Sequence, residues 1–211
     1  MWPLQITKTD RMKLIGLLSL AFLTVACATQ KPTQAPSPTA AAVIVFHGDK
    51  NVAPAVQWEI QKAADTWAIQ TRGLAKISIE WDGAVGEKLN TLHVMDSSTK
   101  EGFQKLFSDC GPDFSCIVGV VGLTTSGGIH NPFDVPVEMT LFSDRLTDPG
   151  MLEQVAMHEM GHALGLPHSE AIQAIMFPYV QHQKNICLKQ PDLALFCSVN
   201  DCGSTRLVGC E

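Results

Sequence analysis

Residues 158–168 read HEMGHALGLPH, with two histidines four residues apart and a third six residues further on. Side chains at i and i+4 lie on one helix face, so His158 and His162 can hold the same metal ion. Gly165 can adopt the left-handed conformation that ends a helix, and the chain then turns so that His168 reaches that ion. Three imidazoles and an open fourth position are typical of catalytic zinc, whereas structural sites usually have a fourth protein ligand.

Glu159 follows the first histidine, and it is the predicted general base because it can face a zinc-bound water rather than the metal. A bare His-Glu-x-x-His occurs by chance on helices, but the added glycine and third histidine make this pattern specific. Eight residues past the third histidine, Met176 lies in the stretch AIMFPY. The sequence here resembles the metzincins, whose zinc motif is followed by a turn with a methionine beneath the metal. Within that group, residues 163–169 and Met176-x-Pro178 resemble the matrixins, the matrix-metalloproteinase branch.

The resemblance implies an α+β fold in which a twisted mixed sheet lies over a buried active-site helix. A small C-terminal subdomain with a helix follows. It also implies a monomeric zinc endopeptidase with one catalytic Zn²⁺ and a peptide or protein substrate extended along an edge strand. The substrate pocket would be walled by Pro178, Tyr179 and Val180. Matrixins usually have a tyrosine two residues after that proline, where this chain has Val180.

Two other functions remain open on the sequence alone. A zinc amidase acting on cell-wall peptides would need the same chemistry, since the motif does not specify which amide is cut. A non-catalytic surface lipoprotein could also bind zinc, although a purely structural site needs no base at Glu159.

The N-terminal residues predict export and lipid anchoring. Residues 1–26 combine a basic start with an apolar run from Leu14 to Val25. This run is too short for an ordinary membrane span and has the length of the apolar part of a signal peptide. Ala26-Cys27 follows the run and resembles a bacterial lipobox; a plain secretory signal is the alternative. Residues 27–41 would be the lipidated Cys27 and a Pro/Thr/Gln-rich tether, and residues 42–211 the zinc peptidase domain.

The tether contains no further cysteine that could cap the zinc, as a matrixin prosegment does. We therefore expect a protein that is exported active, or restrained by some means other than a cysteine cap, and that is anchored to a bacterial cell membrane.

Six cysteines remain after Cys27, and an even number in an exported protein predicts up to three disulfides. Cys110 and Cys116 flank a short loop and are the expected local pair. The other four lie near the C-terminus: Cys187, Cys197, Cys202 and Cys210. They should cross-link that segment, and three pairings among them are possible. A zinc cluster is disfavoured because the chain has no Cys-x-x-Cys pair.

The formal net charge of −6 argues against nucleic acid as a partner. The remaining histidines, His47, His93, His130 and His182, show no metal-ligand pattern, so neither structural zinc nor calcium is predicted. Apolar runs and alternation predict strands at 42–46, 77–81, 92–95, 117–123 and 135–141. Helical spacing predicts helices from Pro54, from Pro149 after an Asp148 cap, and from Pro191, with 101–107 either a short helix or a loop.

Overall fold

The computed structural model describes residues 41–110, 122–125, 136–181 and 183–210. The strands in these residues are β1 (Ala42–Gly48), β2 (Ala75–Glu80), β3 (Asn90–Met95), β4 (Gly122–Thr125) and β5 (Glu138–Phe142). The α-helices are α1 (Pro54–Gln70), α2 (Lys100–Cys110), α3 (Pro149–Ala163) and α4 (Gln190–Val199), and a short 3-10 helix spans Ser143–Arg145. None of the described helices is both long enough and apolar enough to cross a bilayer.

The strands form one mixed sheet in the order β2-β1-β3-β5-β4. Strands β1, β2, β3 and β5 are parallel, and β4 lies antiparallel to β5 at the edge. Alternate residues of β1 enter the core: Ile44 and Phe46 are buried, whereas Val43 is exposed. The predicted α+β class and mixed sheet are therefore confirmed.

Helix α3 is buried beneath the sheet and packs on α1. Its apolar residues cover most of its circumference, which is the pattern of a buried helix. The indole N–H of Trp67 on α1 donates to the carbonyl oxygen of Met157 at 3.0 Å. At the start of the helix, the Asp148 carboxylate accepts from the backbone N–H groups of Gly150 and Met151, so the predicted cap is confirmed.

Two disulfides cross-link the C-terminal segment, as predicted, and the structure selects the pairs Cys187–Cys210 and Cys197–Cys202. The segment is also tied to α1 through Gln70, whose amide accepts from the N–H of Leu188 at 2.7 Å and donates to the carbonyl of Val208 at 2.9 Å. The predicted pair Cys110–Cys116 lies outside the described side chains and stays a prediction, as do the signal peptide, Cys27 and the tether.

Element boundaries differ from the sequence prediction in a few places. Strand β2 ends at Glu80, one residue before the predicted end at Trp81. Strand β5 begins at Glu138 rather than at Val135, and β4 is described only from Gly122. The segment around 101–107 is a helix, α2, rather than a loop.

Candidate metal centre and active site

The three histidines of the motif point their Nε2 atoms at one another. Nε2 of His162 lies 3.0 Å from Nε2 of His158 and 3.2 Å from Nε2 of His168. Nδ1 of His158 lies 2.7 Å from the carbonyl oxygen of Ile175, and Nδ1 of His162 lies 2.8 Å from that of Leu166. A carbonyl oxygen only accepts, so Nδ1 carries the hydrogen in both rings and Nε2 presents a lone pair.

This arrangement fits a bound cation. Converging lone pairs repel one another unless a positive ion lies between them. Tetrahedral zinc with Zn–N distances of about 2.0–2.1 Å would separate its nitrogen ligands by about 3.3 Å, close to the observed spacing. Burial, and then the neighbouring His162, lower the pKa of His158 to about 3, and burial also lowers the pKa of His162. Both rings are thus neutral at ordinary pH, the form in which histidine binds metals.

The end of α3 delivers the third histidine to the other two. Gly165 has a φ of 87°, the left-handed conformation predicted from the sequence. Its N–H donates to the carbonyl of His162 at 2.9 Å, and the N–H of Leu166 donates to that of Gly161 at 2.9 Å. These bonds satisfy carbonyls at the helix end while the chain reverses, so His168 approaches from outside the helix.

Glu159 lies beside the histidines and is 5% exposed. One carboxylate oxygen, Oε2, accepts a hydrogen bond from the Thr124 hydroxyl of β4 at 2.8 Å. Burial raises the pKa of Glu159 to about 7, and the Thr124 bond opposes that rise. A nearby dication would favour the carboxylate further. The group can therefore accept a proton near neutral pH.

Residues 174–179, here called the Met-turn, lie directly against α3. Met176 is fully buried, and its sulfur occupies the space where a side chain at Gly161 would have to go. The carbonyl of Met176 accepts from the N–H of Ser169 at 2.8 Å, which joins the turn to the histidine loop. The Asp192 carboxylate accepts from the N–H groups of Ile175 at 3.0 Å and Met176 at 2.9 Å.

The three predicted pocket residues occupy different environments. Tyr179 is 72% exposed and meets the Phe177 ring edge-on, with ring centroids 5.7 Å apart. Pro178 is also exposed. Only Val180 is partly buried and packs against the hydrophobic core. Tyr179 therefore lies on the surface of the Met-turn, where it packs on Phe177.

The structure also places the polar residues for which the sequence indicated no metal. His47 lies 3.1 Å from Asp82 and 3.8 Å from Glu80, two carboxylates that are exposed to solvent. No sequence pattern indicates this cluster, because His47 lies more than 30 residues from both carboxylates. Asp144 accepts hydrogen bonds from the backbone N–H and hydroxyl of Ser97.

Thr124 and Asp192 contact the site but were not predicted to do so. Asp192 follows Pro191 at the start of the predicted last helix, where an acidic residue is common, and no local pattern marks Thr124. The short spacing of the zinc motif carries no information about either contact.

The fold and the histidine cluster together define a candidate metal centre at the end of a buried helix. The family model described as Matrixin matches residues 34–198, and the chain therefore belongs to the matrixin family. It is also similar to matrix metalloproteinase-A of Caenorhabditis elegans, at 31% identity over 99 residues. That match spans 44% of this chain and 19% of the nematode protein, so the chain covers only a small part of its relative's length.

Proposed function

We propose that this chain is a zinc-dependent endopeptidase. The observation that carries the proposal is the convergence of the Nε2 atoms of His158, His162 and His168 beside the buried carboxylate of Glu159. Membership of the matrixin family supports the same reaction class. A purely structural zinc site would have no use for a carboxylate in this position.

The roles of the residues follow from their chemistry. His158, His162 and His168 would hold one zinc ion, and the hydrogen bonds of His158 and His162 to backbone carbonyls fix those two rings for that purpose. Bound zinc would acidify its water and polarise the substrate carbonyl. Glu159 would accept the proton of the attacking water and return it to the leaving nitrogen. The substrate would lie extended beside β4, which forms one edge of the sheet.

Two alanine variants separate metal binding from catalysis. Glu159→Ala should keep zinc and the fold but lose about 10²–10⁴-fold in peptide hydrolysis, the usual contribution of a general base. His168→Ala should lose zinc affinity itself, because two protein ligands remain. Glu170→Ala, a change at an exposed glutamate close to the histidine loop, is the matched control and should behave like the parent.

The two rival functions correspond to distinct outcomes of this experiment. Cleavage of cell-wall peptides but of no protein would favour the zinc amidase. A parent protein that binds zinc and cuts neither substrate would favour a non-catalytic binding protein. Full peptidase activity in Glu159→Ala would refute the proposed mechanism.

We also propose that the protein is exported and anchored to a bacterial membrane by lipid on Cys27. The basic start, the apolar run and the Ala26-Cys27 junction support this, together with a proline-rich stretch long enough to serve as a spacer. Cys27→Ser should release the protein from the membrane fraction or leave its signal uncleaved. Unchanged acylation and fractionation of this variant would rule out the proposal.

A further inference from the structure

We infer that the edge strand β4 positions the general base, with Thr124 as the positioning residue and Gly122 as the residue that makes the approach possible. The inference rests on the proposed function, because it assigns a role to Glu159 in the reaction. Gly122 and Thr124 are two residues apart on a strand and therefore face the same side of the sheet. On that side both meet Glu159 of α3.

Thr124 contacts Glu159 twice. Its hydroxyl oxygen lies 2.8 Å from the carboxylate atom Oε2 and 3.1 Å from the main-chain carbonyl oxygen of the same residue. A hydroxyl has one hydrogen and two lone pairs, so it donates to the charged oxygen at the shorter distance. The second, longer contact to the main-chain carbonyl places the hydroxyl over the backbone of Glu159 itself. Thr124 thus holds one carboxylate oxygen of Glu159 at a defined position beside the histidines.

Gly122 leaves the space that the other side of the Glu159 carboxylate occupies. A Cβ atom at this position would lie 2.8 Å from Oε1 of Glu159 and 2.8 Å from Cγ1 of Val155, closer than real Cβ contacts allow. Glycine therefore lets the backbone of β4 touch α3 at this point. One carboxylate oxygen therefore accepts a hydrogen bond from Thr124, and the other occupies space that a side chain at position 122 would need.

A purely structural role for Thr124 would be to pin β4 onto α3, and steady-state kinetics distinguish the two roles. Thr124→Val keeps the shape of the side chain and removes the hydroxyl. We expect kcat to fall about 10- to 100-fold, the factor equivalent to one hydrogen bond to a charged group, with KM and bound zinc within about two-fold of the parent. Thr124→Ser restores the hydroxyl and should recover most of kcat.

Thr140→Val is the matched control, since Thr140 lies in the neighbouring strand β5 and its buried hydroxyl has no hydrogen-bond partner among the described residues. It should leave kcat unchanged. Gly122→Ala tests the close approach of β4 to Glu159, and it should lower kcat while zinc stays bound.

A double variant tests whether Thr124 acts through Glu159. In the full zinc-loaded chain, Glu159→Ala with Thr124→Val should hydrolyse peptide at the same residual rate as Glu159→Ala alone. If the double variant loses a further factor equal to the loss in Thr124→Val alone, the inference is wrong. An unchanged kcat in Thr124→Val would also overturn it, as would a fall in kcat that is matched by a loss of bound zinc or of folded protein. A zinc-loaded parent that hydrolyses no substrate would instead refute the proposed function. An active parent with an equally active Thr124→Val refutes only the positioning role.

Discussion

Asp192 links the C-terminal helix to the histidine site, and its removal should weaken both the fold and zinc binding. The buried carboxylate accepts from three backbone N–H groups: those of Ile175 at 3.0 Å, Met176 at 2.9 Å and Lys189 at 2.8 Å. The carbonyl of Ile175 is in turn the partner of Nδ1 of His158. The path from Asp192 to the proposed zinc ligand therefore passes through a single residue of the Met-turn.

The size of the effect follows from the donors left without a partner. Each unsatisfied buried N–H costs about 1–3 kcal/mol, so Asp192→Ala should lower the free energy of unfolding by about 3–5 kcal/mol after allowance for relaxation. Asp192→Asn should cost less, because its carbonyl oxygen can still accept from two donors while its amide meets the third. A looser Met-turn should weaken zinc binding about 10- to 100-fold, as is usual for residues that orient a ligand.

Urea unfolding of the metal-free protein measures the first effect, and zinc competition with a chromophoric chelator measures the second. Asp201→Ala is the matched control: the carboxylate of Asp201 is exposed and accepts one N–H bond, from Gly203 at 2.9 Å. It should change stability by no more than about 0.5 kcal/mol. If Asp192→Ala unfolds at the same urea concentration as this control, the carboxylate does not hold the Met-turn.

Three further predictions concern the same site. Gly161→Ala should destabilise the protein by about 1–3 kcal/mol in urea unfolding, because the new methyl group would meet the sulfur of Met176; unchanged stability would mean that the turn can yield. His168→Ala should leave the stability of the metal-free protein within about 0.5 kcal/mol, because this side chain is exposed, but it should reduce the added stability that zinc provides. Thermal unfolding with and without zinc checks this, and a full zinc effect in the variant would exclude His168 as a ligand. Cleavage-site profiling should show a bulky apolar residue after the cut bond, as matrixin resemblance implies; a charged residue there would contradict a pocket bordered by Val180.

The sequence was sufficient to predict those features that depend on residues close together in the chain. The spacing of His158 and His162 on one helix follows from 3.6 residues per turn, and the chain reversal before His168 follows from the conformational freedom of Gly165. The cap at Asp148 and the burial of α3 are likewise local patterns, visible as residue type and periodicity. The mixed sheet could also be predicted, because the zinc motif resembles that of a family whose fold contains such a sheet.

The features that escaped prediction are contacts between residues far apart in sequence, and they have a common physical origin. Thr124 reaches Glu159 across 35 residues, because an edge strand with a glycine at 122 can approach the helix closely. Threonine is common in strands, so its presence at position 124 predicts no contact. Its hydroxyl has a role only because a buried carboxylate lies within hydrogen-bond distance. Asp192 likewise reads as an ordinary first-turn residue of α4. The motif therefore supplies the reacting groups, while the residues that hold them in place depend on tertiary packing.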